Sequence, residues 1–420
     1  MSDLSAKSYD LSELLKQIPF LGDIDPAGRR VFLRADFNVP LDGNGAMVDD
    51  GRLRSVLPTI NYLLDQGARV IVGSHMRNPL ENKQQPDRRY SFAPLARRLS
   101  RIWEAEVSFC PEVAGPRTLE AAENLPPGRV LLLENLRFHP GEIAADQAFA
   151  EQLSQLTDIY VNDAFGVCHR PHASMVTLPR LAKTSVGGFA LKSELKAMYR
   201  ALSHPARPLG VIIGGRDIKA KLPLLAKVMG LADFVFLGGT IGDAISRLAF
   251  GGDITRLSLD DDIIREIERL LNRNSQLRAK LFMPIDALIS GPQDDCVPQA
   301  QIVAAQNLRS HMISEDIGPA TCLWYKEVLA SCRTIIWSGP LGAFEKPAFT
   351  KGTALVTKAL ASCQGVTLAG GVDTSTAILK MSDRNQVSFL STGGSSFLKA
   401  LAGQPLVALE ALISSQHLDA

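Results

Sequence analysis

Short apolar, β-branched runs recur along the chain. They are RVFLRADF (30–37), ARVIVGS (68–74), RVLLLEN (129–135) and IYVND (159–163), then GVIIGG (210–215), FVFLGG (234–239), KLFMPID (280–286), TIIWSGP (334–340), VTLAGG (366–371) and VSFLSTGG (387–394). Between them lie amphipathic stretches with helical spacing, such as DDDIIREIERLLNR (260–273). Strand runs without polar alternation are buried on both faces, and their alternation with helices predicts parallel sheets covered by helices. The strands form two sets, one ending near Val161 and one starting near Leu209, separated by ALKSELKAMYRALSHPARP (190–208), which reads as a long helix ending near Pro205.

The expected fold is therefore α/β: two doubly wound, Rossmann-like parallel-sheet domains joined by a hinge helix. The division is 1–189, a linker at 190–208, 209–402, and a tail at 403–420. A length of 420 residues suits two domains of this size. With 45 basic and 44 acidic residues, nothing in the overall charge favours nucleic acid or a membrane surface. The six cysteines (Cys110, Cys168, Cys296, Cys322, Cys332 and Cys363) form no CxxC pair, which argues against a disulfide framework or zinc site. No apolar run reaches membrane-spanning length and the first residues do not read as a signal peptide, so a cytoplasmic protein is expected.

In open parallel sheets ligands bind beyond the carboxyl ends of the strands. In the first half those ends carry Asp36-Phe37-Asn38, Ser74-His75, Glu134-Asn135-Leu136-Arg137 and Asn162-Asp163. Arg52, Arg137, Arg170, His75, His169 and His172 all read as lying at or just past strand ends. Adjacent Cys168 and His169 cannot easily share a metal, so a basic pocket for a small dianionic substrate is the better reading. In the second half the ends carry Gly214-Gly215, Gly238-Gly239, Asp286, Ser338-Gly339-Pro340, Gly370-Gly371 and Thr392-Gly393-Gly394. One Gly-Gly pair is a tight turn. Four at strand ends suggest a phosphate-rich ligand such as a nucleotide, cradled by free N–H groups.

Several words of the chain, in order, resemble the phosphoglycerate kinase family over roughly residues 20–410. They are RADFNVP (34–40), GRLRSVLPTI (51–60), ENLRFHPGE (134–142), VNDAFGVCHRPHAS (161–174), DIGPAT (316–321), WSGPLGAFEKPAFTKGT (337–353), GGVDT (370–374) and STGG (391–394). The resemblance implies a hinge-bending kinase of glycolysis or carbon fixation, moving phosphate between MgATP and the carboxylate of 3-phosphoglycerate. It implies Asp36 and Asn38 on 3-phosphoglycerate, with Arg52 between its carboxylate and the moving phosphoryl group. His75, Arg137 and Arg170 complete that pocket, and Arg77 stands beside an expected arginine position now held by Asn78. It implies Lys221 on ATP phosphates, Glu345 on the ribose, and Asp373 with Thr374 on the magnesium-bound phosphates. The turns at Gly214, Gly215, Gly238, Gly239, Gly370 and Gly371 line the nucleotide.

The chain departs from the family where Gly-Gly-Ala/Ser-Lys is usual and Gly214-Gly215-Arg216-Asp217 stands instead. The missing lysine normally steadies the phosphoryl group. Arg216 is the candidate substitute, and Asp217 is expected to pair with Lys221 if the helix starts by residue 217. Val372 replaces a glycine and is expected to block both a positive φ and close phosphate approach. Ser395-Ser396 replaces Gly-Ala, and Ser338 replaces an asparagine. A working kinase, with Arg52, Lys221 and Arg216 catalytic, is one reading. A catalytically impaired paralogue that binds 3-phosphoglycerate is the other. Magnesium is expected with the nucleotide, and a monomer without nucleic-acid or membrane partners is expected.

Overall fold

The computed structural model describes residues 10–39, 47, 49–80, 86–290, 300–382 and 384–415. The chain divides into two compact units, Met1–Lys196 with Pro405–Ala420, and Ala197–Gln404. The division falls inside the helix Phe189–Ser203. Cys296, Pro40 and the opening SDLSAKSY lie outside the described residues. The five described cysteines are free thiols.

The first unit is built on six strands, β1 (Arg30–Arg34), β2 (Arg69–Gly73), β3 (Val107–Cys110), β4 (Val130–Leu133), β5 (Ile159–Asn162) and β6 (Thr184–Gly187). All pair in parallel in the order β3-β4-β2-β1-β5-β6. The chain first builds outward from β1 through β2 to one edge, then crosses to β5 on the other side. The switch point therefore lies between β1 and β5, where such sheets open a crevice. Val31, Leu33, Val70, Val72, Val130, Leu132 and Val161 pack with Leu53, Ile60, Leu63, Leu99 and Trp103 of the covering helices. Val107–Cys110 and Thr184–Gly187 are strands that apolar pattern alone does not single out, since Ser108, Thr184 and Ser185 break up the apolar run, and β3 is half exposed at the sheet edge.

The second unit holds a matching sheet. Its strands are β7 (Leu209–Ile213), β8 (Phe234–Leu237), β9 (Lys280–Phe282), β13 (Thr334–Ser338), β14 (Val366–Gly370) and β15 (Phe389–Ser391). They run in parallel in the order β15-β14-β13-β7-β8-β9, so the switch point lies between β7 and β13. Ile212, Phe236, Ile335, Trp337 and Ala369 form its core with Tyr325, Leu329, Val356, Leu360 and Ile378. A separate antiparallel sheet of β10 (Asp286–Ser290), β11 (Ala300–Ala304) and β12 (Ser314–Ile317) was not expected from the pattern. It corrects one detail: KLFMPID is not a single strand. Pro284 interrupts it, β9 stops at Phe282, and Asp286 opens β10 instead of closing β9.

The helix Val407–Ser414 belongs to the first unit. Its Ala408 N–H donates to the Cys168 carbonyl at 3.1 Å, and Leu409 and Leu412 are fully buried. Truncating such a side chain leaves a cavity as well as losing apolar burial. Leu412→Ala is expected to lower the unfolding free energy of the first unit by about 2–5 kcal/mol, read by urea titration with a probe in that unit.

Candidate active site

In the first unit polar side chains from beyond the β1, β2 and β4 ends come together with Arg170, while Asn162 and Asp163 at the β5 end bond away from them, to Ala164 and to Leu191. Asp36, just past β1, accepts through Oδ2 from Arg52 Nη1 and through Oδ1 from the Asn38 N–H at 3.1 Å. Arg52 reaches it from the short helix Gly51–Ser55, so it is not a strand-end residue as the sequence suggested. Asn38 Oδ1 accepts the Arg77 N–H at 3.0 Å, and the Arg77 carbonyl accepts from Arg137 Nη1 at 2.6 Å. Arg77 holds the left-handed conformation at φ 54°, costly for an arginine, and that turn aims its carbonyl at Arg137. Asn38, Arg77 and Arg137 thus form one bonded chain, while the Arg77 side chain is exposed.

The Arg137 Nε is buried without a partner. Burial, then the charge of Arg34, draws its guanidinium down to about 10, so it remains a cation at neutral pH. Arg170, exposed after the β5 end, is close enough to press on Arg137 and His172. His75 is a correction to the basic pocket. Burial, followed by Arg137, Arg34 and Arg52, holds its ring well below the ordinary histidine range. It is a neutral imidazole, 3.4 Å from Arg34 Nη2 and 3.9 Å from Asp36 Oδ1. His172 is pushed down to about 3, chiefly by burial, and is also neutral.

Beneath the pocket lies a group that sequence reading missed. Arg34, the last residue of β1, is fully buried, and its Nη2 is 3.6 Å from the equally buried Glu142. Arg34 Nε donates to Ser174 Oγ at 2.7 Å, and Glu142 accepts from both Ser174 N (2.9 Å) and Oγ (2.6 Å). The signal was present: an arginine closing a strand buried at its other central positions demands a buried partner. With Arg34, Arg52, Arg137 and Arg170 against Asp36 and Glu142, guanidinium groups outnumber carboxylates by two.

In the second unit the glycine turns at β7, β8 and β13 bond to one another. Gly214 N donates to Ser338 O, Gly215 N to Pro340 O, Thr240 N to Gly215 O, and Gly239 N to Leu341 O, at 2.7–3.0 Å. Gly238 N donates to Ile213 O at 3.0 Å. The N–H groups of Gly214, Gly215, Gly238 and Gly239 are therefore occupied, contrary to the expectation that they face an anion. A side chain at Gly214 would collide with the Pro340 carbonyl, and Gly215 holds φ 85°. These glycines exist so that three strand ends can touch.

Asp217 is the N-cap of the helix Ile218–Met229, its Oδ1 accepting the Ala220 N–H at 3.0 Å. The helix starts at Ile218, so the expected Asp217–Lys221 pair does not form. Lys221 is buried instead against β13, its Nζ 2.7 Å from Ser338 Oγ and 3.1 Å from Ser338 O. Burial pushes its ammonium down to about 8, against the opposing pull of Asp373 and Asp217. Arg216 is exposed, with no side-chain partner among the described residues.

Gly370 ends β14 where a side chain would meet Phe397, and Gly371 at φ 112° opens the helix Val372–Met381. The positive φ belongs to Gly371, so Val372 takes ordinary helical geometry, 64% exposed, and no positive φ is blocked there. Asp373 is not the cap of that helix but its second residue, exposed. Thr374 is buried, its Oγ1 accepting the Gly339 N–H at 2.7 Å. The first-turn N–H groups of Val372, Asp373 and Thr374 have no intrahelical acceptor. Glu345 is exposed in the turn after Phe344. Among the described residues no group of three His, Cys, Asp or Glu side chains is arranged to hold a metal, and no helix is long and apolar enough to cross a membrane.

A family model described as phosphoglycerate kinase matches residues 21–404. The chain belongs to the phosphoglycerate kinase family. It is 37% identical over 392 residues to the phosphoglycerate kinase of Syntrophobacter fumaroxidans, covering 93% of this chain and 98% of that one. It is 39% identical over 389 residues to that of Aquifex aeolicus, covering 93% and 96%. The solved phosphoglycerate kinase of Pyrococcus horikoshii superposes with a TM-score of 0.82 at 28% identity, covering 95% of this chain and all of that one. That of Coxiella burnetii gives 0.78 at 29%, covering 94% and 99%. The family is one of two-sheet α/β kinases, and the chain is accordingly a phosphotransferase with a carboxyl group as acceptor and a nucleotide as its other substrate.

Two expected outcomes follow from this geometry. Burial pushes the Lys221 ammonium down to about 8, and a phosphate docking beside it would raise that value again. Nucleotide binding is therefore expected to take up a proton above that pH and to weaken as pH rises. Titration calorimetry in buffers of different ionisation heat measures this, and Lys221→Met should abolish the uptake. Asp217→Ala removes the helix cap and is expected to cost about 1 kcal/mol in denaturant unfolding of the second unit, whereas Asp217→Asn should be close to neutral.

Proposed function

We propose that the chain transfers phosphate reversibly between MgATP and the carboxylate of 3-phosphoglycerate, with the acid held by the first unit and the nucleotide by the second. The observation that carries this reading is the surplus of guanidinium charge at the β1/β5 switch point, facing neutral histidines instead of further acids. Such a pocket suits a small molecule with two anionic ends.

Arg137 and Arg170 receive the phosphate of the acid, with Arg77 beside them through its bonded turn. Asp36 and Asn38 fix the substrate hydroxyl and carboxylate end. Asp36 also orients Arg52, which stands between the carboxylate and the incoming phosphoryl group. His75 contributes a neutral ring that donates or accepts one hydrogen bond and adds no charge. Phosphoryl transfer needs little covalent help, only alignment and positive charge around the equatorial oxygens.

In the second unit the ATP phosphates lie against the open first turn of Val372–Met381, beside Lys221. The glycines at 214, 215, 238, 239, 370 and 371 supply close backbone approach without donating from the bonded N–H groups. Thr374 acts by holding Gly339. Glu345 takes the ribose hydroxyls. Magnesium fits as a companion of the nucleotide: Asp373 is a single exposed carboxylate next to the phosphate position, and an ion that retains water and takes most of its ligands from phosphate needs no larger protein set. Bound there, it would neutralise charge between the phosphates. Arg216 takes over the task of the lysine absent at 217. Its lack of a side-chain partner among the described residues supports this, as does the bonding of the Asp217 carboxylate to the Ala220 N–H. The active form is read as a cytoplasmic monomer.

Steady-state turnover with MgATP and 3-phosphoglycerate tests the reading. Turnover is expected in the purified protein, with Arg52→Ala lowering kcat by about 10²–10³-fold and Arg216→Ala lowering it with little change in 3-phosphoglycerate affinity. Absent turnover with 3-phosphoglycerate still bound would overturn it.

A further inference from the structure

At the amino ends of β7, β8 and β9, opposite to the glycine turns, the second unit has an open recess of about 500 Å³ lined by Arg207, Pro208, Asp233, Phe234, Arg278 and Lys280. Five residues of β7 separate it from Gly214, a distance of about 15 Å, so it is distinct from the phosphate position described above. Phe234 and Lys280 are partners in the parallel register of β8 and β9, and Gly210 of β7 pairs with Phe234.

The recess is organised by one carboxylate. Asp233 Oδ2 accepts from Arg207 Nη1 at 2.7 Å and from the Leu209 N–H at 2.8 Å. Its Oδ1 accepts from Arg278 Nη2 at 3.1 Å and Nε at 3.3 Å. Partial burial would raise its pKa, but the Leu209, Arg207 and Arg278 bonds outweigh this and hold it below the usual carboxylate range. It is therefore a saturated anion. It fixes two guanidinium groups in place while neutralising only one.

Each guanidinium keeps unused donors: Arg207 Nε and Arg278 Nη1 have no acceptor among the described residues, and the Lys280 ammonium makes no ion pair there. Three cations against one carboxylate leave two positive charges around a floor of Pro208 and Phe234. Guanidinium groups held in fixed orientation match the oxygens of a phosphoryl group.

We propose that this recess is a second anion site, taking a small phosphorylated molecule whose phosphoryl group meets Arg207, Arg278 and Lys280 and whose apolar part lies on Pro208 and Phe234. Because Lys280 reports on the site directly, the test does not depend on how the catalytic pockets behave. The full-length protein is treated with a limiting amine-acylating reagent, with and without inorganic pyrophosphate, against chloride at equal ionic strength. Modification at Lys280 is read by peptide mass spectrometry, with exposed Lys326 as the internal reference. Millimolar pyrophosphate, the affinity range of a few good ionic contacts, is expected to slow Lys280 acylation at least about threefold and leave Lys326 unchanged. Arg278→Gln should remove that protection. Equal acylation with pyrophosphate and chloride, or protection unchanged in Arg278→Gln, would overturn the proposal. Should that variant not fold, the comparison in the unaltered protein decides.

Discussion

The hydrogen bond from Gly215 N to Pro340 O, with its neighbour from Gly214 N to Ser338 O, is the constraint on which the second unit's chemistry depends. It draws the ends of β7 and β13 together at the switch point, closer than any side chain at Gly214 would permit. That closeness puts Ser338 within reach of Lys221, and the Lys221 ammonium is then held in a dry position by two acceptors of one residue. The same β13 end reaches Thr374 through Gly339 and so fixes the entry of Val372–Met381. A charged group, a helix entrance and three strand ends are therefore placed by backbone contact. Little is left to flexible side chains.

The first unit reaches an equivalent rigidity by a different route. Its strand ends are held by side chains, and the deepest of these are Arg34 and Glu142. Burying both charges is costly, and the pair is tolerated because Ser174 and the Ala35 carbonyl complete their bonding. The outcome is a layered pocket, with ionised groups below, neutral imidazoles in the middle, and Arg52, Arg137 and Arg170 at the top. Burial, reinforced by the neighbouring guanidinium charges, makes the histidines neutral, so the positive charge of the pocket is carried by its arginines.

Much of this was legible in the chain and some was not. The fully apolar runs announced the central strands of both sheets because burial on two faces leaves no alternation. The short Val107–Cys110 and Thr184–Gly187, and the antiparallel β10–β12, carry no such signature and are held by long-range pairing. At the site, residues at strand ends could be picked out, because topology alone delivers them to one edge. What a residue bonds to could not. Asp217, standing where the family has a lysine, caps the helix through Ala220, a role that rests on where one helix begins. Lys221 was expected to pair with its near neighbour but meets Ser338, 117 positions away. The glycine N–H groups were expected to be free because their partners, on other strands, are invisible to local pattern.

The return of the chain to the first unit at Pro405 has a consequence for synthesis. A ribosome releases Ala197–Gln404 as one continuous stretch, and that unit has every strand and helix it needs once Gln404 has emerged. The first unit, although made earlier, lacks the surface of Val407–Ser414 until that helix has been made, so the apolar side chains that cover Leu409 and Leu412 stay bare for the time taken to make more than two hundred residues. The usual order, in which the amino-terminal domain finishes first, is inverted here. The unit begun first is completed after the second, and a chain broken off after Gln404 would hold the whole of the second unit and an unfinished first unit.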